Sequence, residues 1–176
     1  MAKKEDDVRT RLQGAALELS RERGYERTTA AEIVARAGVT ERTFFRHFPD
    51  KREVLFDGEA MVRAALTASI ADAPAGLGPL DTLFGAFRSF QPALEDNWSY
   101  AKPRHKVISA TPALHEREPA KIAALTDALT AALKARGVAD LRAVLAARTG
   151  MAAFVHATLS WLNDPTAVWR AYRSRP

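Results

Sequence analysis

The sequence predicts an all-α fold, and three observations lead to this prediction. Apolar residues recur at three- and four-residue steps along most of the 176 residues, as in helices that bury one face. No stretch shows the strict alternation of polar and apolar residues, bounded by turn signals, that a sheet requires. Residues typical of helix caps stand at the ends of several of these periodic segments. A chain of this length is also ample for a sizeable core.

The first two predicted helices are separated by a glycine. An apolar stripe begins at Val8 and stops before Gly24, which suits a left-handed cap. Thr29 and Glu32 then have the spacing of a capping box, in which hydroxyl and carboxylate each satisfy a free amide at the helix start. The short second helix that follows ends at Gly38.

Thr40 is well placed to cap a third short helix, which is predicted to run through Phe48. A proline and an aspartate then break the helical pattern. Lys51 opens a fourth helix that is predicted to continue to about Ala73. The segment that follows, "DAPAGLGP", is the strongest linker signal in the chain.

The residues from Asp140 to Asn163 are predicted to form one long helix that is apolar on two sides. One side is rich in leucine and valine, and the other is small or aromatic. Asp164 and the proline after it start a final helix that carries Val168, Trp169 and Tyr172.

A helix with two apolar sides has to be buried on both. One side is expected to meet the core of the chain and the other a partner. The small side, which would allow close approach, carries Ala146, Gly150, Ala153, Ala157 and Trp161 and resembles a helical dimer interface. The alternative is the central helix of a monomeric bundle.

Composition and motifs exclude several classes of protein. The net charge of +5 and the pI near 9.8 allow an acidic partner without requiring one, and the absence of cysteine excludes disulfides and thiolate metal sites. No secretory signal or membrane span is visible, so a cytoplasmic protein is expected. The four histidines lack metal-ligand spacing, and no catalytic motif is present. We therefore predict neither an enzyme nor a cofactor.

The segment from residue 29 to residue 48 has the form of a helix-turn-helix, since two short helices join at a glycine behind a longer helix. Phe44 and Phe48 lie four apart on one face and are expected to pack onto the core. The remaining arc carries Glu41, Arg42, Thr43, Phe45, Arg46 and His47. Such an arc offers a guanidinium for guanine, a methyl group for thymine and cations for phosphate. A charged, solvated face of an ordinary bundle is the alternative.

The stretch "TTAAEIVARAGVTERTFFRHFPDKREVL" resembles the DNA-binding segment of the tetracycline-repressor (TetR) family, and the resemblance covers roughly residues 8 to 60. It implies a repressor that binds a near-palindromic, double-stranded DNA operator as a homodimer. Base reading would fall to Thr40, Glu41, Arg42 and Thr43, and phosphate contacts to Thr29, His47 and Lys51. Arg46 receives no definite role. Phe45 replaces a common tyrosine, so only packing against sugar or methyl groups remains for it.

The resemblance also implies a division into a DNA-binding domain, residues 1–50, and a helical domain for effector binding and dimerisation, residues 51–176. In the second part, aromatic residues at helical spacing precede a basic run, and two more aromatic residues stand beside that run. The predicted effector site comprises Phe84, Phe87, Phe90, Trp98, Tyr100, Arg104 and Phe154. A pocket with apolar walls and cationic residues at its opening would suit a lipophilic anion. Plain core packing is the alternative for this stripe.

The stretch from "KPRHKVISATPALHEREPAKI" to "WLND" further resembles the C-terminal domain of mycofactocin-system regulators, which implies an acyl-CoA-like or fatty-acid-like effector. Two hypotheses on function remain. One is a dimeric transcription regulator that responds to a small-molecule effector, and the other is a helical binding or scaffold protein whose helix-turn-helix no longer reads DNA.

Overall fold

The structure, a computed structural model, describes residues 2–164, with side chains from residue 5 onward. These residues form ten helices and no strand, which confirms the all-α prediction. The helices are α1 (Ala2–Arg23), α2 (Ala30–Ala37), α3 (Glu41–His47), α4 (Lys51–Phe56), α5 (Glu59–Ala71), α6 (Pro79–Asp96), α7 (Trp98–Ala110), α8 (Pro112–His115), α9 (Glu118–Ala135) and α10 (Asp140–Asn163). The predicted final helix with Val168, Trp169 and Tyr172 lies outside the described residues.

The helices pack into two compact units. The first unit comprises the chain up to Asp57 together with Ser99–Arg117, and the second comprises Gly58–Trp98 and the chain from Glu118 onward. The sequence-based division has a single boundary, after residue 50, and the domain assignment remains a prediction. The packing adds a return of the chain, 99–117, to the N-terminal helices.

The core of the first unit joins helices α1 to α4 with residues from α7 and α8. Leu12 of α1, Ile33 of α2 and Phe44 of α3 are at most 1% exposed. Ile108 and Leu114 complete the same cluster from the later segment. Burial of side chains of this size stabilises a core by about 1.5 to 3 kcal/mol each.

The core of the second unit lies among α5, α6, α9 and α10. Its fully buried members include Leu66, Leu83, Leu129 and Ala147, one from each helix. The predicted linker "DAPAGLGP" connects α5 and α6 within this unit. Arg136 holds the loop because its guanidinium donates to the carbonyls of Ala71 and Pro74, at 2.9 Å each.

The prediction of one fourth helix from Lys51 to about Ala73 is wrong, because the helix breaks at Asp57 and Gly58. Asp57 has an extended backbone, and Gly58 has a φ of 99°, which favours glycine. The carboxylate of Asp57 accepts hydrogen bonds from Arg9 and Gln13 of α1. The chain therefore turns at a residue that two side chains of α1 bind.

The predicted helix from Asp140 to Asn163 is confirmed at both ends. No helix in the described part of the chain is long and apolar enough to cross a membrane.

Candidate nucleic-acid interface

The turn between α2 and α3 has the geometry predicted for a helix-turn-helix. The Thr29 hydroxyl accepts from the Glu32 amide at 3.3 Å, and the Glu32 carboxylate accepts from the Thr29 amide at 2.9 Å, so the capping box is confirmed. Gly38 ends α2 with a φ of 64°. Arg11 of α1 donates to the carbonyls of Ala37 and Gly38. The turn is therefore fixed by its own caps and by a guanidinium from the supporting helix.

Helix α3 has one buried face and one exposed arc. Phe44 and Phe48 are 0% and 2% exposed and belong to the core of the first unit, as predicted. Phe45 is 53% exposed and meets the Phe44 ring edge-on at 5.1 Å. Two anchored rings leave the helix little freedom to rotate, so the residues of the arc keep a fixed direction.

The start of α3 is capped within the arc itself. The Thr40 hydroxyl accepts from the Thr43 amide at 3.2 Å, and the two threonine hydroxyls lie 3.0 Å apart in a hydrogen bond. Glu41 and Arg42, the first two residues of the helix, are exposed. The four predicted base readers are Thr40 and the first three residues of the arc, and they follow one another at the start of α3.

Several cations of the first unit form ion pairs on surfaces other than α3. Arginine–carboxylate pairs form at Arg9–Asp57, Arg23–Glu32, Arg36–Glu22 and Arg52–Asp50. Arg42 and Arg46, one turn apart on the arc, have no ion pair with any described residue. Residues 1–58 are nearly neutral, with twelve Lys and Arg against eleven Asp and Glu, but Arg42 and Arg46 still place positive charge on the exposed arc of α3.

His47 is half-buried at the end of α3, and an Nη atom of Arg46 lies 3.5 Å from its Nε2. Burial lowers the pKa of His47, and the nearby Arg46 and Arg9 lower it further. The imidazole is therefore neutral at neutral pH and has one N–H to donate.

Lys51 lies at the start of α4, but its ammonium points to the loop between α1 and α2. Its Nζ donates to the carbonyls of Tyr25 at 3.0 Å and Thr28 at 2.8 Å. The same Nζ lies 4.0 Å from the centroid of the Tyr25 ring. The amides at the start of α4 are engaged by the carboxylate of Asp50.

Asp50 is a residue that the sequence analysis treated only as a helix breaker. Its carboxylate accepts from the amides of Arg52 at 2.7 Å and Glu53 at 3.1 Å. The spacing of Asp50 and Glu53 is that of a helix N-terminus and could have indicated this cap.

The predicted effector residues divide between the two units. Tyr100 and Arg104 belong to the first, where Tyr100 packs against the core. Arg104 donates to the carbonyl of Leu55, and its guanidinium lies 5.7 Å from the centroid of the Phe56 ring. The cation proposed for an acidic head group is thus engaged with α4.

The other five predicted effector residues belong to the second unit. Phe87 and Phe90 are 7% and 8% exposed members of its core. Phe87 stacks on Phe154 at 4.5 Å and meets Phe84 at 6.4 Å, while Trp98 meets Trp161 at 6.5 Å. Core packing, the alternative for this stripe, accounts for Phe87 and Phe90. A role in ligand binding stays a prediction.

The predicted roles of the two apolar sides of α10 are reversed in the structure. The side predicted to face a second copy lies mostly inside the second unit, and the other side is exposed. Ala146, Gly150, Ala157 and Trp161, four of the five predicted interface residues, are buried inside the second unit. Gly150 lies so close to α6 that a Cβ added to it would be 3.0 Å from Leu83 Cδ1. The small residues therefore let α6 approach α10 within one chain. Ala153 is half-buried.

Three of the four leucines of α10 lie on its exposed side, while Leu162 is buried. Leu141, Leu145 and Leu159 are 69%, 55% and 38% exposed. With Arg148 and Ala152 they form a stripe at spacings of three, four and seven residues, which is typical of a helix that packs against another helix. Beside this stripe, α9 and α10 border an open groove of about 430 Å³ lined by Ile122, Thr126, Arg148, Met151, Ala152, Val155, His156 and Leu159.

Comparison with known proteins gives one family and several related structures. Residues 14–57 match the family described as bacterial regulatory proteins, tetR family. Over 82 residues, 47% of this chain, the sequence is 42% identical to the HTH-type transcriptional regulator TcmR of Streptomyces glaucescens. The match spans 36% of TcmR, so this chain covers about a third of that relative.

Two solved structures share the fold over most of this chain. SmeT, in its complex with triclosan, has a TM-score of 0.63 at 24% identity over 92% of this chain and 83% of its own. NalD of Pseudomonas aeruginosa, the secondary repressor of the MexAB-OprM multidrug efflux pump, has a TM-score of 0.58 at 19% identity, over 93% of this chain and 88% of its own. The family and the named relative are regulators and not enzymes.

Proposed function

We propose that this chain, whose residues 14–57 match the tetR family of bacterial regulatory proteins, is a transcriptional regulator that binds a double-stranded DNA operator through α3. The observation that carries the proposal is the exposed arc of α3. Arg42 and Arg46 are exposed there without an ion pair among the described residues, while Phe44 and Phe48 fix the opposite face. A helix held in this way is suited to the major groove.

The residues of the arc divide into two chemical roles. Thr40, Glu41, Arg42 and Thr43 stand at the start of α3, and the N-terminal residues of a recognition helix meet base edges. Arg42 is the strongest candidate, since a guanidinium can donate two hydrogen bonds to guanine O6 and N7. Thr29, Arg46 and His47 are proposed to contact phosphates. Phe45, which has no hydroxyl, is proposed to pack against a sugar or a thymine methyl group.

We propose that a homodimer of this chain binds the operator. The exposed leucines of α10 lie on one face of the helix together with Ala152 and Arg148, and an exposed face rich in apolar residues is a common site of association. A second copy related by two-fold symmetry would cover it and would place two recognition helices on two half-sites. The operator is therefore expected to be a near-palindrome with half-sites about 34 Å apart, or a multiple of that distance.

A small-molecule effector and a role in repression complete the proposal. SmeT is a fold relative solved with triclosan, and NalD is described as a repressor. The aromatic rings of the second unit suit the apolar part of a ligand, and the proposed class is a lipophilic anion such as a fatty acid or an acyl-CoA. We propose that this class of effector lowers operator affinity.

A scaffold protein that no longer reads DNA is the competing function, and Phe45 together with the near balance of charge in residues 1–58 favours it. Against it, the acids of this region that form ion pairs lie on surfaces other than the arc of α3, where Arg42 and Arg46 outnumber Glu41. The direct test is fluorescence anisotropy of the full chain with a duplex that covers the region upstream of its own gene. Binding at least about a thousandfold tighter than to a random duplex, at stated salt, supports the regulator. Equal, weak binding to both would favour the scaffold.

A further inference from the structure

The loop between α1 and α2 carries an exposed arginine, Arg27. Its Nε donates to the carbonyl of Arg23 at 2.6 Å, at the end of α1, where free carbonyls and the helix dipole attract a cation. The two Nη groups have no hydrogen bond or ion pair with a described residue, the neighbouring Glu26 included. The guanidinium therefore keeps four N–H groups for another molecule.

The direction of Arg27 follows from the burial of the residue after it. Thr28 is 1% exposed, and its hydroxyl donates to the carbonyl of Gly24 at 3.0 Å. Arg27 and Thr29, on either side of Thr28, are both exposed. Because the side chain between them points into the first unit, these two side chains both point out of it.

Thr29 belongs to the surface that is proposed to bind DNA. It is the N-cap of α2, and the family resemblance implies phosphate contacts at Thr29, His47 and Lys51. Arg27 stands two residues before Thr29, and two residues of extended chain span about 7 Å at most. A phosphate backbone that meets Thr29 is therefore within reach of the Arg27 guanidinium.

The charge of Arg27 also differs from that of other arginines beside this loop. Arg23 lies 2.9 Å from a carboxylate oxygen of Glu32, and Arg36 lies 3.0 Å from one of Glu22. Within the described part of the chain, no carboxylate neutralises Arg27 in this way. It is therefore a cation whose charge remains available to an anionic partner.

We infer that Arg27 is a further phosphate contact, which extends the DNA-binding surface from the helix-turn-helix to the loop before α2. This inference depends on the proposed function, since it concerns the same duplex. A phosphate contact carries no sequence information, so Arg27 adds affinity for operator and random DNA alike. Its measurable sign is the dependence of DNA affinity on salt.

The test uses the full chain and a fluorescent random-sequence duplex, with affinity measured over a series of KCl concentrations. Removal of one phosphate contact reduces the magnitude of the slope of log K against log[KCl] by about 0.9 for each subunit bound. Arg27→Gln removes the charge and keeps a polar side chain, and we expect this reduction in it. Arg27→Lys keeps the charge, and we expect it to keep the slope of the wild type.

Arg21→Gln is the matched control, because it removes one positive charge from the same unit. Arg21 is exposed and has no ion pair with a described residue. At 100° per residue it lies about 200° around α1 from the buried Leu19, on the side away from the core. We expect the slope to be unchanged in Arg21→Gln.

Arg46→Gln, on the exposed arc of α3, separates failure of this inference from failure of the proposed function. Circular dichroism checks that each variant is folded. If Arg46→Gln reduces the slope and Arg27→Gln does not, the inference is wrong and the proposed function stands. An equal reduction in Arg21→Gln or in Arg27→Lys would also overturn the inference, since the effect would then come from net charge or from the loop. A wild-type chain without salt-dependent DNA binding would refute the proposed function and this inference with it.

Discussion

Arg9 of α1 and Asp57 at the end of α4 form a two-pronged salt bridge. Arg9 Nε lies 2.9 Å from Asp57 Oδ2, and Arg9 Nη2 lies 2.7 Å from Oδ1. Gln13 donates to the same carboxylate at 3.1 Å, and the Arg9 guanidinium lies 5.1 Å from the centroid of the Phe48 ring. One arginine thus contacts both an anchor of the recognition helix and the turn at which α4 ends.

The first prediction concerns the energy of this pair. Because Asp57 and Arg9 side chains are 21% and 39% exposed, solvent weakens the attraction, but the two-pronged geometry is favourable. We expect a coupling of about 1 kcal/mol in a double-mutant cycle with Arg9→Met and Asp57→Asn, measured by urea unfolding. If the double variant loses only the sum of the stability lost by the two single variants, the pair contributes no coupling energy.

The second prediction concerns assembly. Leu145→Glu would place a carboxylate among the exposed leucines of α10, which a second copy is proposed to cover. We expect the dimer dissociation constant to rise roughly a hundredfold or more. Light scattering over a concentration series measures it, with Ala64→Glu on the exposed side of α5 as the matched control. A wild-type chain that is monomeric at micromolar concentration would contradict the dimer.

Local features of the fold could be predicted from the sequence because a few neighbouring residues determine them. The capping box of Thr29 and Glu32 and the left-handed Gly38 depend on contacts within one helical turn. The apolar face of α3 follows from the spacing of Phe44 and Phe48. These features include the parts of the candidate site that the helix-turn-helix itself determines.

Features that depend on distant residues could not be predicted in this way. The inner side of α10 is decided by Leu83 and Phe87 of α6, which fit against Gly150. The sequence shows that both sides are apolar, and the small residues are predicted to face a partner because they allow close approach, whereas in the structure they allow the approach of α6. The engagement of Lys51 depends likewise on a loop more than twenty residues earlier. The break at Asp57 did have a local signal, since an Asp-Gly pair is typical of turns.

The third prediction separates base reading from phosphate binding. Arg42→Ala should remove about 1 to 3 kcal/mol of discrimination between the operator and a random duplex and leave affinity for the random duplex less affected. Arg46→Gln should weaken both duplexes by a similar factor. Anisotropy titrations with both duplexes measure this. Equal losses of specific and non-specific affinity in both variants would refute the assignment of roles.

The fourth prediction concerns the effector. Long-chain fatty acids and acyl-CoAs, titrated into the protein–operator complex, should reduce affinity about 5- to 150-fold, the range of common coupling energies. Arg104→Gln removes the charge and keeps a donor for the carbonyl of Leu55, so it should weaken the response to anionic ligands. Its response to an uncharged lipophilic ligand is the control. No change in affinity with any of these ligands would rule out this effector class.

The last prediction concerns stability at alkaline pH. Burial raises the pKa of Tyr100 to about 12, and Arg104 offsets this only in part. In the unfolded chain the phenol has a pKa of about 10 and loses its proton first. The folded state therefore binds more protons between pH 10 and pH 12, and the free energy of unfolding falls as the pH rises through this range.

Tyr100→Phe has no proton to lose at this position. Relative to its value at pH 8, its free energy of unfolding should fall by less than that of the wild type, with a difference approaching about 2 to 3 kcal/mol near pH 12. Urea unfolding at pH 8, 10 and 11.5 measures the difference, and other groups that ionise in this range cancel between the two proteins. Parallel losses in both proteins would mean that the Tyr100 hydroxyl is accessible to water in the folded chain.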